Sequence, residues 1–121
     1  MVKTEEITFE EYDEALERES LIVYPDAGKQ TMPAITYCVL GLCGESGEVA
    51  EKIKKILRDN GGEITDEMRM ALAKEMGDVL WYWTRLCSEM GLSPSQVAEI
   101  NITKLVSRRD RGAFGGSGDE R

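Results

Sequence analysis

The sequence contains no histidine, which removes Ser-His-Asp and Cys-His catalysis, His-ligated zinc and the Glu-x-x-His di-iron bundles. Cysteine is sparse: Cys38, Cys43 and Cys87 are an odd number with no Cys-x-x-Cys. That argues against a disulfide framework and a zinc ribbon, and the apolar helical context of each reads as a reduced core residue. Only three prolines occur, and Val, Ile and Thr alternate over no long run, which argues against an all-β fold. Basic residues are outnumbered, 15 Lys and Arg against 23 Asp and Glu, for a net charge of −8. Nucleic-acid binding through a general basic surface is not expected of such a chain. A bound metal can still bring a small anion to it by inverting the local charge. No apolar run approaches the roughly 20 residues of a membrane span. The opening MVKTEEITFEEY is acidic and has no apolar segment, so it does not read as a signal peptide. No membrane partner and a cytoplasmic location are the expectation.

What is present is an ordinary globular composition, 41% hydrophobic and 31% charged over 121 residues. One domain, 1–121, is expected, with enough chain to bury a core unaided. Thr8 with Glu11 forms a capping box that opens a first helix from about residue 8 to 22, ahead of Pro25, with a turn at Asp26–Gly28. Residues 1–32 are thus a helix and a loop. Pro33 suits the first turn of a second helix running to about Arg58, before the breaker Asn60-Gly61-Gly62. Its apolar stripe is Ile35, Val39, Leu42, Val49, Ile53 and Leu57. Gly41, Gly44 and Gly47 interrupt it at nearly 1 kcal/mol each, which predicts close approach of a backbone or ligand there.

Thr65 or Asp66 caps a third helix to about Met90, with Gly91 after its end. Leu72, Met76, Val79, Trp83, Cys87 and Met90 form its stripe. Trp81 lies roughly opposite, which predicts a partner subunit on that face; Trp81 and Trp83 both read as packing residues. Ser93-Pro94-Ser95-Gln96 opens a fourth helix to about Arg108. The core helices thus span 33–110, and 111–121 is a glycine-rich tail. The architecture expected is all-α, a four-helix-bundle-like and oligomeric fold, as a homodimer or homotetramer.

Two acid pairs carry the chemistry. Glu45 and Glu48 are three apart on the second helix, and Glu75 and Asp78 are three apart on the third. Residues so spaced share a helix face, and both pairs border their apolar stripes. If the helices pack antiparallel, four carboxylates meet at one seam, tolerable only with cations between them. Oxygen-only ligands select hard ions, Mg²⁺ first and Mn²⁺ as a substitute. Glu51 makes a second Glu-x-x-Glu but points about 120° from Glu45.

The pattern Glu45-x-x-Glu48, a gap, then Glu75-x-x-Asp78 resembles the signature of the MazG-like all-α nucleoside triphosphate pyrophosphohydrolases. GLCGESGEVAEKIKK and EMGDVLWY resemble the family's two central helices, and NITKLVSRRDRGAFGGSGDER the C-terminal segment of its small single-domain members, phage and integron-borne ones among them. The resemblance covers roughly 33–121 and implies that an NTP or dNTP is hydrolysed to the monophosphate and pyrophosphate, with the nucleotide as small-molecule partner, in housecleaning or adjustment of the nucleotide pool. It makes Glu45, Glu48, Glu75 and Asp78 the metal ligands, and Glu48 or Glu51 the acid that orients or deprotonates water. Lys54, Lys55, Asn101, Lys104, Arg108 and Arg111 are candidates for the phosphates, and Tyr82, one turn beyond Asp78, for base or sugar. The alternatives are an alarmone or phosphoribosyl-nucleotide substrate, or a non-catalytic helical scaffold.

Overall fold

The computed structural model describes residues 5–112 and contains, among them, four helices and no strand: α1 (Phe9–Arg18), α2 (Met32–Asn60), α3 (Asp66–Glu89) and α4 (Pro94–Asp110). The all-α expectation holds. The glycine-rich tail beyond residue 112 lies outside the described residues.

Local side-chain chemistry sets most helix ends. Thr8 and Glu11 close the expected capping box on α1, and Ser93 and Gln96 close another on α4. Thr31 caps α2 through the Ala34 N–H, and Thr65 caps α3 through the Met68 N–H. Gly61, at φ 60°, ends α2 in the left-handed conformation that glycine favours. The first helix is shorter than its sequence predicts. It stops at Arg18, not near residue 22, because Ser20 adopts φ 56° and the Leu21 N–H turns back to the Leu16 carbonyl.

α2 and α3 form a long antiparallel hairpin with by far the most extensive packing in the molecule. α1 lies on α3, where Phe9 meets the Trp83 ring at 5.8 Å. α4 touches α3 more lightly, and its start is tied to α1 by the Ser95 hydroxyl donating to Glu10 at 2.6 Å. The buried apolar set is small: Leu16, Ala34, Cys38, Ile56, Leu72 and Cys87. Much of the expected α2 and α3 stripes stays exposed in the isolated chain, Leu57 and Met76 among them. Cys43 is exposed too, so only two of the three cysteines are core residues.

Trp81, over which the sequence predicts a partner subunit, is half-buried and has neighbours within the chain, edge-on to Tyr24 at 5.8 Å and to Tyr82 at 4.9 Å. Another apolar face is open too. There Val49, Met76, Val79, Leu80 and Trp83 line an apolar groove of about 410 Å³.

Candidate metal centre

The antiparallel pairing of α2 and α3 brings the acids together. Glu45, Glu75 and Asp78 each place a carboxylate oxygen within 4.8 Å of the other two. Burial, then the charges of Asp78, Glu75 and Glu48, push the Glu45 carboxyl above its usual range. Glu48 is exposed and stands outside this triad, contributing charge to Glu45 from its edge. Three crowded carboxylates supply only oxygen donors, a set suited to a hard divalent cation.

The cation that reaches the cluster is Lys52, whose Nζ lies 3.8 Å from Glu75 Oε1. Lys52 is seven residues beyond Glu45, almost two full turns, and so faces the same way. That periodicity was available in the sequence and points to Lys52 over its neighbours. Lys54 stands about 180° round the helix from Glu45. It pairs instead with Glu51 at 3.0 Å, and Lys55 reaches Glu51 at 4.0 Å. Lys54, with Lys55 adding to it, holds the Glu51 carboxyl below its usual range. The structure therefore groups Glu51, Lys54 and Lys55 on a separate surface, away from the triad.

Beside the triad lies a cavity of about 350 Å³ lined by Leu21, Glu45, Asp78, Trp81 and Tyr82. Tyr82 is where its i+4 spacing from Asp78 placed it. Burial, then the neighbouring Tyr37 and Glu45, raise its phenol above the usual value. Trp81, read from sequence as packing, also lines this cavity. Tyr82 sits so close to α2 that a Cβ on Gly41 would stand 2.0 Å from its Cε1, whereas Gly44 and Gly47 have no such neighbour within 4 Å. Of the three interior glycines, Gly41 is the one with a close approach. Tyr12 of α1 also borders the acids: burial, then the charges of Asp78 and Asp13, raise its phenol.

The cations of α4 take other positions. Asn101 is exposed, Lys104 half-buried and Arg108 buried, and Arg111 follows the helix with its Nε donating to Ser107 Oγ at 3.1 Å. None of them lines the cavity beside the acids.

A second polar cluster has no precursor in the sequence reading. Glu89, with a fully buried side chain, accepts hydrogen bonds from the Tyr24 hydroxyl, the Gly28 N–H at 2.7 Å and the Gln30 N–H at 2.9 Å. Arg85 donates from Nε to the Tyr24 oxygen at 3.1 Å, and faces Asp13 at 3.7 Å and Glu89 at 3.8 Å. Burial pushes the Glu89 carboxyl up, but these donors and the Arg85 charge outweigh it and hold the group below its usual range.

Four helices with a carboxylate triad at the seam of the central hairpin, and an aromatic cavity beside it, define an all-α protein of the acid-cluster type. The model of the MazG nucleotide pyrophosphohydrolase domain matches residues 35–113, which include all four acids. The chain belongs to that family. It is also similar to the Gene 37 protein of Mycobacterium phage L5, 47% identical over 100 residues that span 82% of this chain and 88% of that protein. No solved structure matches the chain.

Proposed function

We propose that the protein is a Mg²⁺-dependent nucleotide pyrophosphohydrolase, converting an NTP or dNTP and water into the monophosphate and pyrophosphate. The observation that carries this is the convergence of Glu45, Glu75 and Asp78 within 4.8 Å inside a chain of the MazG family. These three residues hold the cation, with Glu48 as the fourth ligand at the edge, and Mn²⁺ can substitute. Bound Mg²⁺ supplies charge neutralisation for the phosphates and acidifies water.

The chain's own residues do the rest. The triad would hold the metal end of the triphosphate at the mouth of the aromatic cavity, and Tyr82 and Trp81 offer faces to the base or sugar. Glu48 is open to solvent and accepts the proton of the attacking water; Glu51, engaged by Lys54 and Lys55, is the weaker candidate for that role. The water oxygen bonds to the α-phosphorus as the α–β bridging bond breaks, and pyrophosphate leaves with the bridging oxygen. Lys52 is the first cation for the departing phosphates. Lys54, Lys55, Asn101, Lys104, Arg108 and Arg111, which do not line the cavity beside the acids of their own chain, are assigned to the outer phosphates as contributions from a second copy.

The apolar groove at Val49, Met76, Val79, Leu80 and Trp83 supports a homodimer or homotetramer. Among the described residues, no helix is long and apolar enough to cross a membrane. A cytoplasmic role in cleansing or adjusting the nucleotide pool accords with this, and nucleic acid is not a partner of so acidic a chain.

The test is pyrophosphate release from a panel of NTPs and dNTPs with Mg²⁺. Release is expected to stop with EDTA and to fall by more than about 100-fold in Glu45→Gln and Glu75→Gln. Orthophosphate as the sole phosphate product, or no turnover by the folded protein across the panel, refutes the assignment.

A further inference from the structure

The linker between α1 and α2 is fastened to α3 by Glu89 and Arg85, and Tyr24, which both of them bond, meets Trp81 of the cavity beside the acids edge-on. Glu89 gathers three donors from this linker, the Tyr24 hydroxyl and the N–H groups of Gly28 and Gln30. Arg85 bonds the same Tyr24 oxygen and reaches Asp13 of α1. A carboxylate and a guanidinium are costly to bury unless each is matched by partners of fixed geometry. Here the partners are backbone and a phenol of the linker, so these two residues of α3 define where the linker lies.

The position of Tyr24 passes to the cavity through rings. Tyr24 stacks on Tyr37 with centroids 5.5 Å apart and planes 9° from parallel. It also meets Trp81 edge-on, and Trp81 meets Tyr82 edge-on. Trp81 and Tyr82 are the aromatic residues of the cavity, and Leu21, from the same linker as Tyr24, lines it with them. Neither Glu89 nor Arg85 lines the cavity themselves.

We propose that Glu89 and Arg85 are positioning residues for the nucleoside end of the substrate, holding the linker so that Leu21, Trp81 and Tyr82 form a slot for a planar heterocycle. The inference rests on the proposed function in taking a nucleotide as ligand, yet it concerns the base and not the phosphates. It therefore predicts a split. Loosening the clamp weakens binding of a nucleotide but leaves binding of its bare phosphate chain as it was.

The experiment is calorimetric titration of the full chain, with Mg²⁺, using non-hydrolysable α,β-imido dNTPs of each base and, separately, inorganic tripolyphosphate. The wild type is expected to bind at least one nucleotide about ten-fold more tightly than tripolyphosphate. Glu89→Gln, which keeps the shape but turns an acceptor into a donor, is expected to erase most of that advantage and to leave the tripolyphosphate Kd unchanged. Glu89→Asp, which restores the charge at shorter reach, is expected to recover part of it. Should Glu89→Gln fail to fold, Tyr24→Phe keeps the stacked ring, removes only the clamped hydroxyl, and is expected to lose about three-fold on nucleotide alone. Equal losses on both ligands, no loss on either, or a wild type that prefers no nucleotide over tripolyphosphate overturns the proposal. Absence of pyrophosphate release alongside the expected binding split overturns the hydrolase assignment and leaves the clamp standing.

Discussion

Gly41→Ala is the perturbation whose outcome the packing of the central hairpin determines most directly. A Cβ at this position would stand 2.0 Å from Tyr82 Cε1, 2.3 Å from Cδ1 and 2.4 Å from Cζ. Carbon atoms in contact sit about 3.5–4.0 Å apart, so the ring has to retreat by more than about 1 Å. The ring borders the open cavity beside the acids, while Trp81 at 4.9 Å and Tyr37 at 6.1 Å restrict its movement elsewhere. Overpacking of this kind costs about 1–3 kcal/mol. Against it stands the helical preference for alanine over glycine, about 1 kcal/mol. Gly41→Ala is therefore expected to be neutral or to destabilise by up to about 2 kcal/mol. At Gly44 and Gly47, where the added methyl meets no heavy atom within 4 Å, only the favourable part remains. For a chain of this size 1 kcal/mol moves Tm by about 4 °C. In thermal unfolding, Gly44→Ala is expected to rise by about 4 °C while Gly41→Ala stays level or falls by up to about 8 °C. Adding Tyr82→Ala to each completes a double-mutant cycle. With the ring gone, Gly41→Ala is expected to become as favourable as Gly44→Ala, a coupling of at least about 1 kcal/mol. An equal rise in Tm for both alanines, or a cycle without coupling, would refute the packing argument.

Four more outcomes can be checked. Mg²⁺ at 100 times its Kd is expected to stabilise the protein by about 2.7 kcal/mol, and that gain to vanish with EDTA or in Glu75→Gln, read as the Tm difference with and without the ion. The Glu89 carboxyl titrates below its ordinary 4.5 in the folded chain. Its contribution is therefore present above pH 4.5 and lost as pH falls through the folded value, so acid titration of unfolding free energy should show a slope that Glu89→Gln flattens. At neutral pH the same substitution is expected to cost about 3–5 kcal/mol, the range for breaking a buried charge pair, and a cost under about 1 kcal/mol in denaturant titration would contradict the clamp as drawn. Finally, Val79→Glu puts a charge in the apolar groove and is expected to convert a dimer or tetramer to the 13.5 kDa monomer in sedimentation, whereas a wild type that already sediments as monomer rules out the groove as a subunit contact.

What was legible in the sequence is what depends on near neighbours. The capping boxes at Thr8 and Ser93, the cap at Thr65 and the left-handed Gly91 are written in residues three or four apart, and each forms as read. The two acid pairs follow from the same helical spacing, and the hairpin that joins them follows from the short connection between α2 and α3. What was not legible depends mostly on long separations. The early end of α1 belongs to a linker held by Glu89 some sixty residues away. Glu89 reads locally as one more acid near a helix end, and only the fold shows it buried. The contact of Trp81 with Tyr24 also joins residues far apart in the chain, which helical periodicity cannot reach. Lys52 was within reach of the periodicity, since it shares a face with Glu45, and the candidates Lys54 and Lys55 did not.

The family match begins at residue 35, and the linker that supplies Leu21, Tyr24, Gly28 and Gln30 precedes it. The carboxylates and the Leu21 lining of their cavity thus come from different stretches of polypeptide. The acids stand on two uninterrupted helices, whose backbone leaves them little freedom to drift. The linker is irregular chain, free to change in length and side chain provided it still meets Glu89. On the proposed reading the linker contributes one lining residue, Leu21, to a cavity whose aromatic residues and acids share α2 and α3, so exchange of residues 19–31 between relatives is a route to altering which nucleotide is accepted without touching Glu45, Glu75 or Asp78.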